Sequence, residues 1–212
     1  MNTLTIKFKG KHAFNPNNIK VKEQFYTICD TIESNLTEVN PIVLMATSLT
    51  QTKSMVNATA YLALAFSEQG KRVLVVDSNL REPSLHSLFM IDNSSGLAPL
   101  LLREHPRHKE NAVKITDYLF CLPTGEIHYE PSTLLSLETF PNLIGEWKRH
   151  FDIILFHTAD SLTTPDAQII AKHCDGIVLM IKERRDKLEK IIRVKRQFER
   201  AKHEITGTVI IK

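Results

Sequence analysis

Short apolar runs rich in β-branched residues recur along the chain, and they constrain its fold more than any other feature. They lie at residues 42–45, 73–76, 118–122, 153–156, 177–181 and 208–211. Near-continuous runs of this kind are typical of strands buried on both faces of a parallel sheet. Helical patterns lie between several of them, most clearly at 54–69, 164–173 and 186–202. The alternation predicts an α/β fold: a doubly wound, mostly parallel sheet with helices on both faces.

The region before the first of these strands divides into two parts. Residues 1–19 are rich in charge, Asn and Pro, and they predict a flexible N-terminal arm, although the alternation of Leu4, Ile6 and Phe8 also allows a short edge strand. An amphipathic helical pattern follows at 21–36. We therefore expect an arm over 1–19 and a single domain over 20–212.

Composition limits the function classes. The 212 residues suit one α/β domain, and a formal charge of +3 is too small to indicate a nucleic-acid partner. The three cysteines are widely spaced and form no C-x-x-C pair, which is typical of reduced thiols in the cytoplasm. No run of 18 apolar residues occurs. The chain is therefore expected to be soluble and cytoplasmic.

The stretch MATSLTQTKSMVNATAYLALAF, residues 45–66, has the layout of a phosphate-binding P-loop. Lys53 and Ser54 stand at the start of a predicted helix, as in G-x-x-x-x-G-K-[ST], but Thr47 and Thr52 hold the glycine positions. Glycines are needed there because the backbone N–H groups must turn inward around the phosphates. Taken alone, the stretch is either a degenerate P-loop or a polar turn between strand and helix.

Six other segments, in the same order along the chain as in the family, carry a resemblance to a known family. A strand ends in Asp77, with Arg81 and Pro83 just beyond it, and a second strand ends in HFDIILFHTAD. The segments EQFYTIC, GLAPLLL, EPSTLL and PDAQIIA match further family motifs. From about residue 21 to 212 the chain resembles the bacterial tyrosine kinases of capsule and exopolysaccharide synthesis. These kinases are related to the MinD/ParA deviant-Walker P-loop ATPases.

The resemblance implies a P-loop NTPase-like fold with ATP and Mg²⁺ bound at the carboxyl ends of the strands. It implies a base that activates the substrate tyrosine at Asp77, and metal positions at Ser54, Asn79 and His157. The nucleotide-binding positions that it implies are Thr50, Thr52, Lys53, Ser54 and Arg81.

Departures from the family pattern point to impaired catalysis. Neither late glycine of the loop is present, and Asn79 and His157 replace two carboxylates. Neutral imidazole is a poor ligand for Mg²⁺, which prefers hard oxygen donors. The interface motif E-x-x-R-x-x-R keeps Glu23 but has Tyr26 and Cys29 at its arginine positions. The four tyrosines are scattered rather than clustered. The chain is therefore interpreted as a pseudokinase with weak or absent binding of ATP and Mg²⁺.

Three functions are compatible with these features. The first is a pseudokinase that regulates or scaffolds polysaccharide synthesis through a membrane adaptor or beside an active paralogous kinase, with recruitment to the inner face of the membrane. The second is a weakly active ATP-binding tyrosine kinase, and the third is a ParA/MinD-like positioning protein. A phosphate loop that no longer binds nucleotide is expected to close over Lys53 and to turn its ammonium toward Asp77 or Asp160.

Two further hypotheses are disfavoured by spacing. The basic segment 182–203 could bind DNA, as in ParA relatives, but its apolar residues recur at helical spacing and indicate a packed helix with a solvated basic face. Nucleic acid is therefore not expected as a partner. A zinc site at His157 with Asp77 and Asp160 lacks any H-x-x-x-H or Cys/His spacing.

Overall fold

The computed structural model describes residues 4–8, 14–36, 38–50, 52–103, 111–158, 160–162 and 164–212. Its strands are β1 (Leu4–Phe8), β2 (Ile42–Ser48), β3 (Val73–Asp77), β4 (Val113–Lys114), β5 (Leu119–Leu122), β6 (Ile153–His157), β7 (Gly176–Lys182) and β8 (Ile205–Ile211). Its helices are α1 (Ile19–Asn35), α2 (Lys53–Glu68), α3 (Leu85–Phe89), α4 (Leu97–Leu101), α5 (Pro131–Leu135), α6 (Thr139–Trp147), α7 (Asp166–Ala171) and α8 (Leu188–Arg200).

The strands form one sheet in the order β1-β8-β7-β2-β6-β3-β5-β4. Every neighbouring pair is parallel except β4 with β5. The predicted fold class is confirmed. Because β2, β6 and β3 are parallel neighbours, their carboxyl ends lie side by side at one edge of the sheet. We call this edge, with the loops that leave it, the carboxyl edge.

The continuous apolar runs arise because the sheet is covered on both faces. In β2, Leu44 and Ala46 pack into the layer formed with α1, α2 and α3, whereas Val43 and Met45 pack into the layer formed with α4 to α8. Each of these four residues is buried. A strand with a core on either side cannot alternate apolar and polar residues, since burying an unpaired polar side chain is costly.

The N-terminal segment contains the short edge strand that the alternation of Leu4, Ile6 and Phe8 allowed. Leu4–Phe8 forms strand β1, which pairs in parallel with β8 at the edge of the sheet. Phe8 is buried, with its ring centroid 5.5 Å from that of Phe25 and 5.6 Å from that of Tyr61. The aromatic contacts hold this strand against α1 and α2. The division into an arm and a single domain otherwise stays a prediction.

Within the described parts of the chain, no helix is both long and apolar enough to cross a membrane.

Candidate functional site

The loop after β2, which stands at the P-loop position, is short. Four residues, 49–52, separate the last strand residue Ser48 from Lys53, the first residue of α2. All four carry side chains. The Thr50 hydroxyl donates to Asp186 Oδ1 at 3.0 Å, and Asp186 Oδ2 accepts the Lys182 backbone N–H at 2.6 Å. The loop is therefore tied to the turn that follows β7.

The first turn of α2 holds the remaining P-loop side chains. Thr52 is the N-cap residue, but its hydroxyl makes no capping hydrogen bond and is buried without a hydrogen-bond partner. Lys53 is exposed and forms no ion pair with any described carboxylate, whereas Ser54 is half-buried. The expected pairing of Lys53 with Asp77 or Asp160 is therefore wrong. An unpaired ammonium at a helix N-terminus leaves a positive potential there.

Asp77, at the end of β3, is buried and its carboxylate is enclosed by backbone. Oδ2 accepts the N–H groups of Ser84 and Leu85, each at 2.8 Å, and Oδ1 accepts the N–H of Asn79 at 3.3 Å. Burial raises the pKa of Asp77 to about 6, although the N–H donors act in the opposite direction. The carboxylate thus closes the turn 78–84 and supports the start of α3.

Asn79 lies inside the same turn. Its side-chain oxygen accepts the backbone N–H of Glu82 at 3.3 Å. Its side-chain nitrogen is buried without a hydrogen-bond partner. The atom that lacks a partner is therefore a donor, which repels a cation rather than binding it.

Arg81 is held by two carboxylates. Its Nε donates to Asp166 Oδ2 at 2.7 Å and its Nη2 to Asp166 Oδ1 at 3.2 Å, which makes a bidentate pair. Nη2 also donates to Glu130 Oε1 at 2.6 Å. Asp166 is buried at the first turn of α7, and Glu130 is the N-cap residue of α5. Arg81 therefore joins the turn after β3 to the N-termini of two helices.

His157 ends β6 in register with Asp77 on β3 and Ala46 on β2. Its ring is buried, and Nδ1 lies 3.0 Å from the hydroxyl of Thr59, in the second turn of α2. Burial lowers the pKa of His157 to about 4, so the imidazole is neutral at pH 7. The side chain is fixed under α2.

The described residues do not fit a bound Mg²⁺ ion. Asp77 is enclosed by N–H donors, Asn79 offers a buried N–H, and His157 is a neutral imidazole held by Thr59. In the part of the chain that the structure describes, no group of three or more His, Cys, Asp or Glu side chains is placed to hold a metal ion. Mg²⁺ prefers oxygen ligands at octahedral positions.

The three residues expected at the family's protomer interface lie on α1, and two of them contact α2. Cys29 is fully buried, and Tyr26 donates its hydroxyl to Glu68 of α2. This hydrogen bond is the main reason why the pKa of Tyr26 is raised to about 12. Glu23 is exposed. Tyr26 and Cys29 thus join α1 to α2.

The carboxyl edge brings together most of the predicted site residues, and it also contains partners that are absent from the predicted nucleotide and metal positions. Glu130 and Asp166 lie within the segments EPSTLL and PDAQIIA, so their motifs were a usable signal. Thr59 and Asp186 had no such signal, because neither belongs to a motif. The contact of Thr59 with His157 and that of Asp186 with Thr50 depend on how α2 and the turn after β7 pack at the carboxyl edge.

A comparison with characterised proteins finds relatives named as kinases. The chain is 30% identical over 188 residues to the tyrosine-protein kinase YwqD of Bacillus subtilis, covering 89% of this chain and 79% of that protein. No protein-family model matches the chain.

Solved structures share the fold. The chimerical protein CapA2B2 superposes with a TM-score of 0.86 at 23% identity, covering 98% of this chain and 92% of that one. The septum site-determining protein MinD of Pyrococcus horikoshii, complexed with Mg-ADP, gives a TM-score of 0.64 at 20% identity, covering 80% of this chain and 69% of that one. These likenesses confirm a P-loop NTPase-like architecture.

Proposed function

Because the chain belongs to the bacterial tyrosine-protein kinase family, we propose that it is a catalytically impaired member that regulates or scaffolds capsular or exopolysaccharide synthesis through a membrane adaptor. The observation that carries the proposal is the chemistry of the carboxyl edge. The side chains at the family's base and metal positions are engaged by backbone or by neighbouring side chains.

Phosphoryl transfer depends on positioned charge and on metal ions. In this chain Asp77 holds the turn 78–84, and His157 stands where a carboxylate would hold the metal. If each missing element contributes a few kcal/mol, the loss is about 10²–10³-fold for each, although such losses are not additive. Ordinary turnover is therefore not expected.

A regulatory role requires that the fold persists without catalysis. The ties around the carboxyl edge join Thr50 to Asp186, Asp77 to the start of α3, and Arg81 to two helices. A surface fixed in this way can present a constant shape to an adaptor segment or to an active kinase. The proposed partners follow from the family to which the chain belongs.

Transfer of radiolabelled phosphate from ATP tests the proposal. The purified protein, alone and with the cytoplasmic tail of a candidate adaptor, should incorporate no label. An active family kinase with the same tail serves as the positive control. Incorporation that disappears in Asp77→Asn would show that Asp77 acts as a base, and the proposal would then be wrong.

A second function, weak ATP binding, is favoured by one observation. Lys53 is exposed at the N-terminus of the 16-residue helix α2 and forms no ion pair with a described carboxylate. Calorimetric titration with ATP, with and without Mg²⁺, separates the two functions. Sub-millimolar binding that needs no Mg²⁺ and is lost in Lys53→Ala would indicate a residual anion site, and a low micromolar Kd with Mg²⁺ would indicate an enzyme.

Assembly through α1 is not expected, because Tyr26 and Cys29 face α2 and cannot offer Glu23 a bidentate cation. Light scattering should give a monomer or small oligomer whose mass is unchanged in Glu23→Ala. A large ring that is lost in this variant would contradict the assignment.

A further inference from the structure

Basic side chains are concentrated in the turn after β7 and in α8. Residues 184–202 contain nine Lys and Arg against three Asp and Glu, a formal charge of +6 where the whole chain has +3. The rest of the chain is therefore net acidic. All nine basic residues are exposed. The net positive charge of this protein therefore comes from this segment.

Helix α8 has a sharply divided surface. Val194 and Phe198 are fully buried in the layer that covers the sheet. Residues at three- and four-residue spacing on the opposite side line a shallow surface groove together with Glu189, Gln197 and Ala201. We call the four residues Ile192, Arg193, Arg196 and Arg200 the outer face of α8.

The arginines of this face have no carboxylate partner in the described part of the chain. Among the described residues, Arg193, Arg196 and Arg200 form no ion pair, and the ion pair within α8 joins Lys195 to Glu199 at 3.6 Å. Arg81, by contrast, is held by two carboxylates. Like charges one turn apart destabilise a helix slightly, so the row of arginines does not serve the fold itself.

Two large aliphatic side chains accompany the arginines. Leu188 is 69% exposed and Ile192 is 39% exposed. From Arg193 to Arg200 the row runs about 10 Å along a straight helix, which suits a planar surface. Arginine and exposed aliphatic residues on one helix face are typical of binding to the headgroup region of an anionic bilayer. No aromatic side chain is exposed on α8 for stacking on bases.

We propose that the outer face of α8 binds the surface of a membrane that contains anionic phospholipids. The arginines contact the phosphate groups, and Leu188 and Ile192 enter the boundary between headgroups and acyl chains. This contact is separate from any adaptor and does not depend on the proposed function. It would hold the protein in a fixed orientation, with the sheet behind α8.

Co-sedimentation with lipid vesicles tests the proposal. The full chain should pellet with vesicles of phosphatidylcholine and phosphatidylglycerol at 70:30, but not with phosphatidylcholine alone. Each basic residue near an anionic surface contributes about fivefold to partitioning, so Arg193→Gln with Arg196→Gln should weaken binding about 25-fold. Ile192→Ala should weaken binding to a smaller extent, and 1 M salt should abolish it.

A control with matched charge makes the test specific. Arg193→Glu with Arg196→Glu should abolish sedimentation, whereas Lys20→Glu with Lys114→Glu, which lowers the net charge by the same amount on other elements, should retain it. Circular dichroism establishes that each variant is folded. Failure to sediment with the anionic vesicles, equal loss in the Lys20 and Lys114 variant, or binding confined to duplex DNA or to a polyglutamate peptide would each overturn the proposal.

Discussion

The loop after β2 and the turn after β3 leave the same edge of the sheet but differ in what their side chains do. The loop contains no glycine, and its Lys53 is exposed without an ion pair to any described carboxylate. The turn begins after Asp77 and contains Arg81, and both side chains are fully engaged in contacts within the chain. Asp77 and Arg81 are therefore explained by folding, whereas the charged side chain that is open to a ligand lies in the loop.

The largest expected effect tests the turn after β3. Arg81→Met removes the cation and leaves the buried carboxylate of Asp166 without its partner, so the free energy of unfolding should fall by about 3 kcal/mol. Urea denaturation measures the change. Lys114→Met, at an exposed pair with Asp117, is the control and should change stability little. If the two variants lose equal stability, Arg81 is not structural.

The second-largest expected effect is a pH dependence of stability that comes from His157, the neighbour of Asp77 in the sheet. A histidine whose pKa is lowered on folding binds its proton more tightly in the unfolded chain, so its contribution to stability is complete above pH 6.5 and is lost as the pH falls toward 4. Relative to His157→Gln, the wild type should lose about 2 kcal/mol of unfolding free energy between pH 7 and pH 5. Denaturant titrations at both pH values measure it, and a pH-independent difference would contradict the burial of a neutral ring.

A smaller effect tests the loop after β2. Introducing glycine at positions 50 and 52, where the family pattern places its two late glycines, removes the hydrogen bond from Thr50 to Asp186 and adds unfolded-state entropy. Stability should therefore fall by about 1–2 kcal/mol. Thr50→Ser keeps the hydroxyl and serves as the control. If the glycine variant is more stable than the wild type, or if these two substitutions alone give the chain affinity for Mg-ATP, then the loop is an open phosphate cradle.

The last prediction is that a ligand leaves the thermal stability of the protein unchanged. Mg-ATP at millimolar concentration should leave the Tm of the wild type unchanged, because a ligand stabilises only in proportion to its binding. Differential scanning fluorimetry measures this. An upward shift of several degrees that is lost in Lys53→Ala would contradict this expectation and would show that the loop after β2 binds nucleotide.

The sequence predicted the sheet better than it predicted the site. The runs at 42–45, 73–76, 153–156 and 177–181 are strands in the structure, because burial on both faces leaves a continuous apolar signal. Helices α3 to α6 were not predicted. Three of them, α3, α4 and α5, have five residues each, too few for a helical period to be recognised.

The site was predicted by position but not by contacts. Motifs placed Asp77, Arg81 and His157 at the carboxyl edge, and the structure places them there. Their partners are Ser84, Asp166 and Thr59, between 7 and 98 residues away along the chain. Which donor meets which acceptor depends on strand register and helix packing, and no local pattern records either.

The register that sets Asp77 beside His157 on adjacent strands has a consequence for proton binding. The ordinary pKa of Asp, 3.8, rises to about 6 on folding, and the ordinary pKa of His, 6.5, falls to about 4. The folded chain therefore holds a proton on Asp77 more tightly, and a proton on His157 less tightly, than the unfolded chain does. As the solution becomes more acidic, the first change favours the folded state and the second disfavours it, so the pH dependences of these two neighbours oppose each other.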